Sequence, residues 1–134
     1  MNILVIDGQG GGLGRQLVQS IKSRFPQAEL TAVGTNALAT QAMHKAGADR
    51  AATGENAVAV NCRRADVIIG PVGIVIADSL WGEVSPTIAL AVAQSEAVRI
   101  LLPMNLCSNY IAGVGKQPLS ALIEDALNKI AELM

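Results

Sequence analysis

The sequence predicts an α/β fold: a three-layer, doubly wound domain with a mainly parallel sheet in the order 3-2-1-4-5. Three observations carry that expectation. Short apolar runs alternate with segments of helical periodicity along the 134 residues. The first run, Ile3–Ile6, is apolar throughout, as a strand covered on both faces must be. It then passes through Asp7 into "GQGGGLG", Gly8 to Gly14, in which five of seven residues are glycine. Glycine loses more backbone entropy on folding than any other residue, so such a cluster implies a tight turn or a close approach to a ligand.

After the glycines, Leu17, Val18, Ile21 and Phe25 recur at helical spacing, and Pro26 closes that helix. A second strand is expected over Glu29–Val33. An alanine-rich helix then runs from about Ala37 to Ala46, with Gly47 as its C′ residue. Arg50–Ala52 reads as a short third strand. "TGEN" leads into a helix with Val58, Cys62 and Ala65 on one face and Arg63 and Arg64 favouring its negative end. Strands four and five are expected at Val67–Ile69 and Val98–Leu102. Between them, Val72–Gly82 fits neither period, and the next helix has Ser85 as N-cap, Pro86 at N1 and Thr87–Gln94 as body. "NYIAGVG" reads as a short sixth strand. The last helix, behind Pro118 at N1, carries the stripe Leu119, Leu122, Ile123, Ala126, Leu127 and Ile130, with an Asp125–Lys129 pair on its solvent face. No linker or repeat interrupts the chain, so residues 1–134 read as one domain.

Composition narrows the function. Hydrophobic residues make up 51% and charged residues 16%, which excludes a disordered chain. A net charge of -1 and only three aromatics, Phe25, Trp81 and Tyr110, leave neither a basic footprint nor a stacking platform for nucleic acid. No apolar stretch approaches the roughly 20 residues of a membrane helix. The N-terminus has no basic region of the signal-peptide kind. Two cysteines, Cys62 and Cys107, suit a reducing compartment, and the expected location is the cytoplasm.

The glycine loop stands between a strand and a helix, where the helix start offers unpaired N–H groups and partial positive charge to an anion. The spacing G-x-G-x-x-G fails, reaching Leu13 from Gly8 and Arg15 from Gly10. G-x-x-x-G-x-G fits through Gly8, Gly12 and Gly14, and over about the first 25 residues it resembles the fingerprint of short-chain dehydrogenases. That resemblance implies NAD or NADP as cofactor. The family's Tyr-x-x-x-Lys pair is missing: Val114 stands four residues after Tyr110, and Lys116 six. No acidic residue ends the second strand. Thr35 or Asn36 there could bond a ribose or a 2′-phosphate, although capping of the next helix is the favoured role. Asp7 would repel a diphosphate, and capping of the glycine loop is its simpler role, with no metal needed.

Ligands of open α/β sheets sit beyond the carboxyl ends of the strands. The segments expected there are "DGQGGG", "GTN", "TGEN", "GPVG" and "PMNLCSN". The candidate cofactor-binding residues are therefore Asp7, Gly8, Gly10, Gly11, Gly12, Gly14, Thr35, Asn36, Gly70 and Gly73, with no metal site and no assigned catalytic residue. Thr53 and Glu55 fit an N-cap and a first-turn carboxylate, and Glu55 is the best acid or base at this edge. Cys107 lies at a nucleophile's position, but the sole histidine, His44, falls on a polar helix face. A phospho-receiver site lacks its acidic pair and lysine. A flavodoxin-type site has only Trp81 and Tyr110 to stack on a flavin.

Taken end to end, "VIDGQGGGLG", "GTNALAT", "GADRAATGENA", "DVIIGPVGI" and "GEVSPTIALA" resemble an uncharacterised bacterial family of short, stand-alone Rossmann-like proteins, known only as a domain of unknown function. The resemblance implies the fold and no activity. The leading expectation is a nucleotide- or dinucleotide-binding domain for a small-molecule ligand. Its rival is a structural or interaction protein whose glycines serve packing alone. The alanine-rich helices could also form a homo-oligomer face.

Overall fold

The computed structural model describes residues 1–104, 106 and 108–134. Strands β1 (Asn2–Asp7), β2 (Glu29–Gly34), β3 (Arg50–Thr53), β4 (Val67–Pro71) and β5 (Val98–Leu102) form one sheet. Helices α1 (Gly12–Arg24), α2 (Ala37–Lys45), α3 (Glu55–Arg64), α4 (Pro86–Gln94) and α5 (Leu119–Leu133) connect and cover it, with a 3-10 turn at Val72–Val75. The order is β3-β2-β1-β4-β5 and every pairing is parallel, as the sequence predicts.

The apolar strands divide their side chains between two cores. Ile3 and Val5 of β1 join Leu30 and Ala32 of β2 and Val67 and Ile69 of β4, under Leu17, Val18 and Ile21 of α1 and Ile123, Leu127 and Ile130 of α5. Leu4, Ile6, Val33 and Ile68 point the other way, against Val58 and Cys62 of α3 and Ile88 and Val92 of α4. Period-2 alternation within a run that is apolar at every position produces this double coverage.

Local chemistry sets the helix ends. Asn36 accepts the amide of Ala39 and so caps α2, while Ser85 accepts that of Ile88 and caps α4, with Pro86 at the first helical position. Gly47, at φ 121°, follows the end of α2. Four local expectations fail. Thr53 does not cap α3: Gly54 stands at that position, and the Thr53 hydroxyl lies 2.7 Å from that of Thr40. Residues 109–115 form no sixth strand, because Gly113 at φ 83° breaks the extended run. Pro118 is extended at ψ 147° and precedes α5 as its N-cap. Lys129 reaches Glu132 at 3.4 Å rather than Asp125.

Strand order leaves β1 between β2 and β4, so successive crossovers leave β1 in opposite directions. The crevice at its carboxyl end is the switch point where ligands of such sheets bind. The loop after β1 and the segment between Val72 and Ser85 border that crevice. Among the described residues no helix is long and apolar enough to cross a membrane.

Gly70 lies where β4 runs against β1, and a Cβ there would collide with the Ile6 carbonyl oxygen, a backbone atom that cannot rotate away. Gly70→Ala should therefore cost about 1–3 kcal/mol, the usual range for overpacking. Urea denaturation measures it, and a neutral result would show that the sheet can part there.

Candidate functional site

The residues after β1 form a tight turn in which Gly11 donates to the Gly8 carbonyl at 2.9 Å and Gln9 and Gly11 both have positive φ. Three of the five glycines are explained by neighbours. A Cβ on Gly8 would lie 2.5 Å from Thr35 Oγ1 and 3.0 Å from Glu83 Oε1. One on Gly11 would stand 2.9 Å from the Ala39 Cα, and one on Gly14 2.5 Å from Met43 Sδ and 2.8 Å from the Asp7 Cβ. Nothing lies within 4 Å of a Cβ on Gly10 or Gly12, and neither has the positive φ that demands glycine.

Asp7 does cap the loop. Its carboxylate is 3% exposed and accepts the amide of Gly8 at 2.8 Å on one oxygen and that of Gly14 at 2.7 Å on the other. Burial raises its pKa above the ordinary carboxylate value; the Gly14 and Gly8 bonds oppose this and the nearby Glu83 adds to it. Thr35 and Asn36 are both engaged inside the protein. Thr35 donates its hydroxyl to Glu83 at 2.7 Å, and Asn36 donates to Glu83 at 2.7 Å and to the Gln9 carbonyl at 2.9 Å while capping α2.

Glu83 is the residue that sequence reasoning missed. Its Oε1 takes three donors: the Gln9 amide at 2.9 Å, the Thr35 hydroxyl and the Asn36 amide. Burial works to raise its pKa, but the three hydrogen bonds outweigh this and hold it below the ordinary value. One signal was available: Glu83 is the sole charged residue between Asp78 and Glu96. The turn that carries it is anchored by buried Leu80 and Val84, with Asp78, Leu80, Trp81 and Gly82 all at positive φ and Trp81 97% exposed at its tip.

The remaining candidates disperse. Gly70 is buried in β4, and Gly73, buried in the 3-10 turn, accepts the Ser79 hydroxyl through its carbonyl at 2.5 Å. Glu55 accepts the Ser85 hydroxyl at 2.6 Å, a tie between α3 and the start of α4. His44 is exposed on α2, and Cys107 lies outside the described residues. Cys62 is core, its thiol pushed up to about 11 by burial. Tyr110 is 86% exposed. Among the described residues no group of acidic, histidine or cysteine side chains could hold a metal. Two cavities, of about 660 Å³ beside Cys62 and Ser95 and about 470 Å³ beside Tyr110 and Lys116, lie away from the glycine loop.

Across the loop and the first turn of α1, the amides of Gly8, Gln9 and Gly14 are thus taken by carboxylates, while those of Gly10, Gly12 and Leu13 have no partner among the described residues. The carboxylates of Asp7 and Glu83 flank a short row of three open donors.

A family model described as a domain of unknown function, DUF3842, matches residues 2–134. The chain belongs to that family. No curated protein matches it. Among solved structures it is similar to a dodecameric FMN-dependent UbiX-like decarboxylase from Escherichia coli O157:H7. That pair shares 14% identity and a TM-score of 0.48, covering 96% of this chain and 94% of the other. The NAD or NADP expectation is corrected. The cofactor named for that structure is FMN. Of the groups named for that expectation, the Gly8 and Gly14 amides are held by Asp7, and the Thr35 and Asn36 side chains by Glu83.

The two carboxylates titrate with opposite effect. Asp7, raised in the folded state, favours folding below its ordinary pKa and loses that contribution as pH rises through its raised value. Glu83, lowered, favours folding above its ordinary pKa and loses that contribution as pH falls through its lowered value. Glu83→Gln should flatten the acid side of the stability–pH curve and Asp7→Asn should steepen it. Denaturation midpoints between pH 3 and 7 check both, and slopes moving the same way would contradict the assignment.

Proposed function

We propose that the protein binds a small molecule carrying one phosphate, of the mononucleotide class, at the carboxyl end of β1. The single observation that carries this reading is the mismatch within the glycine loop. Gly8, Gly11 and Gly14 are explained by packing, whereas Gly10 and Gly12 face open space and leave their amides, with that of Leu13, unpartnered among the described residues. Absent side chains and free donors at the positive end of a 13-residue helix suit an oxyanion. The doubly wound order supports it, because the loop lies at the switch point of the sheet. A single phosphate fits better than two, since Asp7 and Glu83 flank the remaining donors.

A second reading, a structural or interaction domain, is favoured by the packing around Gly8, Gly11 and Gly14. Helix α4 has no charged residue and exposes Leu90, a face on which a second copy could pack without opposing like charges.

Thermal shift against FMN, adenosine monophosphate and inorganic phosphate separates these readings. A ligand at one hundred times its dissociation constant should stabilise the fold by about 2.7 kcal/mol. Gly12→Val adds a side chain where nothing lies within 4 Å, so it should keep the stability and abolish the shift. Absence of any shift with all three, at millimolar concentration, rejects the phosphate reading in favour of packing.

A further inference from the structure

Glu83 draws three protein donors onto one oxygen. A half-exposed carboxylate in a surface turn is satisfied by water, yet this one reaches over the crevice and takes three donors on a single oxygen. Two of those donors, Thr35 and Asn36, follow β2, and the third is the backbone of Gln9 in the glycine loop itself. They converge at the end of the crevice from elements more than 25 residues apart. Gly8 lacks a side chain where a Cβ would meet both Thr35 Oγ1 and Glu83 Oε1, so the loop is shaped to admit this carboxylate.

We propose that Glu83 is an internal competitor for the phosphate site: its carboxylate holds the Gln9–Thr35–Asn36 donors and leaves them when the ligand's phosphate enters the glycine loop. This rests on the phosphate reading above. The exchange follows from charge and position. Glu83 bonds the amide of Gln9, one residue before the open amide of Gly10, so an incoming phosphate meets a fixed negative charge on the same turn. Like charges this close disfavour one another, and the side chain that can move is the one already half in solvent. The vacated donors, two of them side chains, can then serve the ligand.

The backbone around Glu83 limits what moves. Leu80 and Val84 are buried on either side, and Asp78 donates to the Val84 carbonyl at 2.7 Å, so the base of the turn stays in place. Its tip, Trp81 and Gly82, is exposed and lies at φ 58° and 87°. Left-handed conformations at non-glycine residues store strain and recur at ligand clamps and switches. Exchange therefore involves the Glu83 side chain and this tip. Trp81 is the one tryptophan of the chain and reports on it directly.

The test titrates wild type, Glu83→Gln and Glu83→Ala with FMN and with inorganic phosphate by calorimetry, following Trp81 emission in the phosphate series. Circular dichroism verifies the fold, and the isosteric Glu83→Gln keeps the comparison open if Glu83→Ala unfolds. Affinity should rise from wild type to Gln to Ala, by about tenfold or more overall, as charge-assisted hydrogen bonds are withdrawn from the competitor. Wild-type Trp81 emission should shift on binding, and adding Gly12→Val should erase the gain. Equal or weaker binding by both variants, with wild type still binding, overturns the competitor and leaves the phosphate reading intact. Binding by none of the three proteins overturns both. A gain that survives Gly12→Val places the exchange at another site and overturns the proposal.

Discussion

The carboxylate of Asp7 is the constraint on which the carboxyl edge of the sheet depends. It stands at the last position of the central strand, almost fully buried, and holds the amides of Gly8 and Gly14 on its two oxygens. Those bonds fasten the start of α1 to the end of β1 and fold the intervening residues into a compact turn. The Gly14 bond also satisfies one of the donors that a helix start leaves open, and the Gly8 bond satisfies an amide of the preceding loop. The neighbouring backbone follows: Thr35 donates its amide to the Asp7 carbonyl, which sets the entry to α2 beside the glycine loop.

Once Asp7 is in place, the electrostatics of the crevice are largely decided. A helix start that would otherwise present four donors and partial positive charge presents a partly neutralised row, with one buried negative charge behind it. Glu83 adds a second charge in front. The turn therefore carries carboxylates on part of its amide row, although its glycine spacing resembles that of a diphosphate cradle. Spacing records where side chains are absent; it does not record which groups already use the freed space.

Much of the fold was legible because its signals are local. Uninterrupted apolar runs specify strands buried on both faces, and Ser85, Pro86, Asn36 and Gly47 mark helix ends through bonds made within a few residues. Errors arose where local preference lost to context. Thr53 has the chemistry of a cap, but its hydroxyl is drawn to Thr40 of the neighbouring helix. Residues 109–115 have strand-forming residues but include a left-handed glycine. The candidate site was half legible: Asp7 and Asn36 act on near neighbours, and their capping roles follow from residue type and place. Glu83 acts on residues 47 to 74 positions away, so nothing near it in sequence announced its partners.

The sequence by itself determined the α/β class, the strand order and the position of a glycine turn at the switch point, because these follow from periodicity and from the backbone freedom of particular residues. It also determined that Asp7 would stand where a phosphate prefers no charge. Only the tertiary structure decided which glycines are required by packing and which face open space. Only it brought Glu83 onto the donors of Gln9, Thr35 and Asn36. The reason is physical: a hydrogen bond between distant segments is specified by the three-dimensional meeting of strand ends, and periodicity carries no information about that meeting.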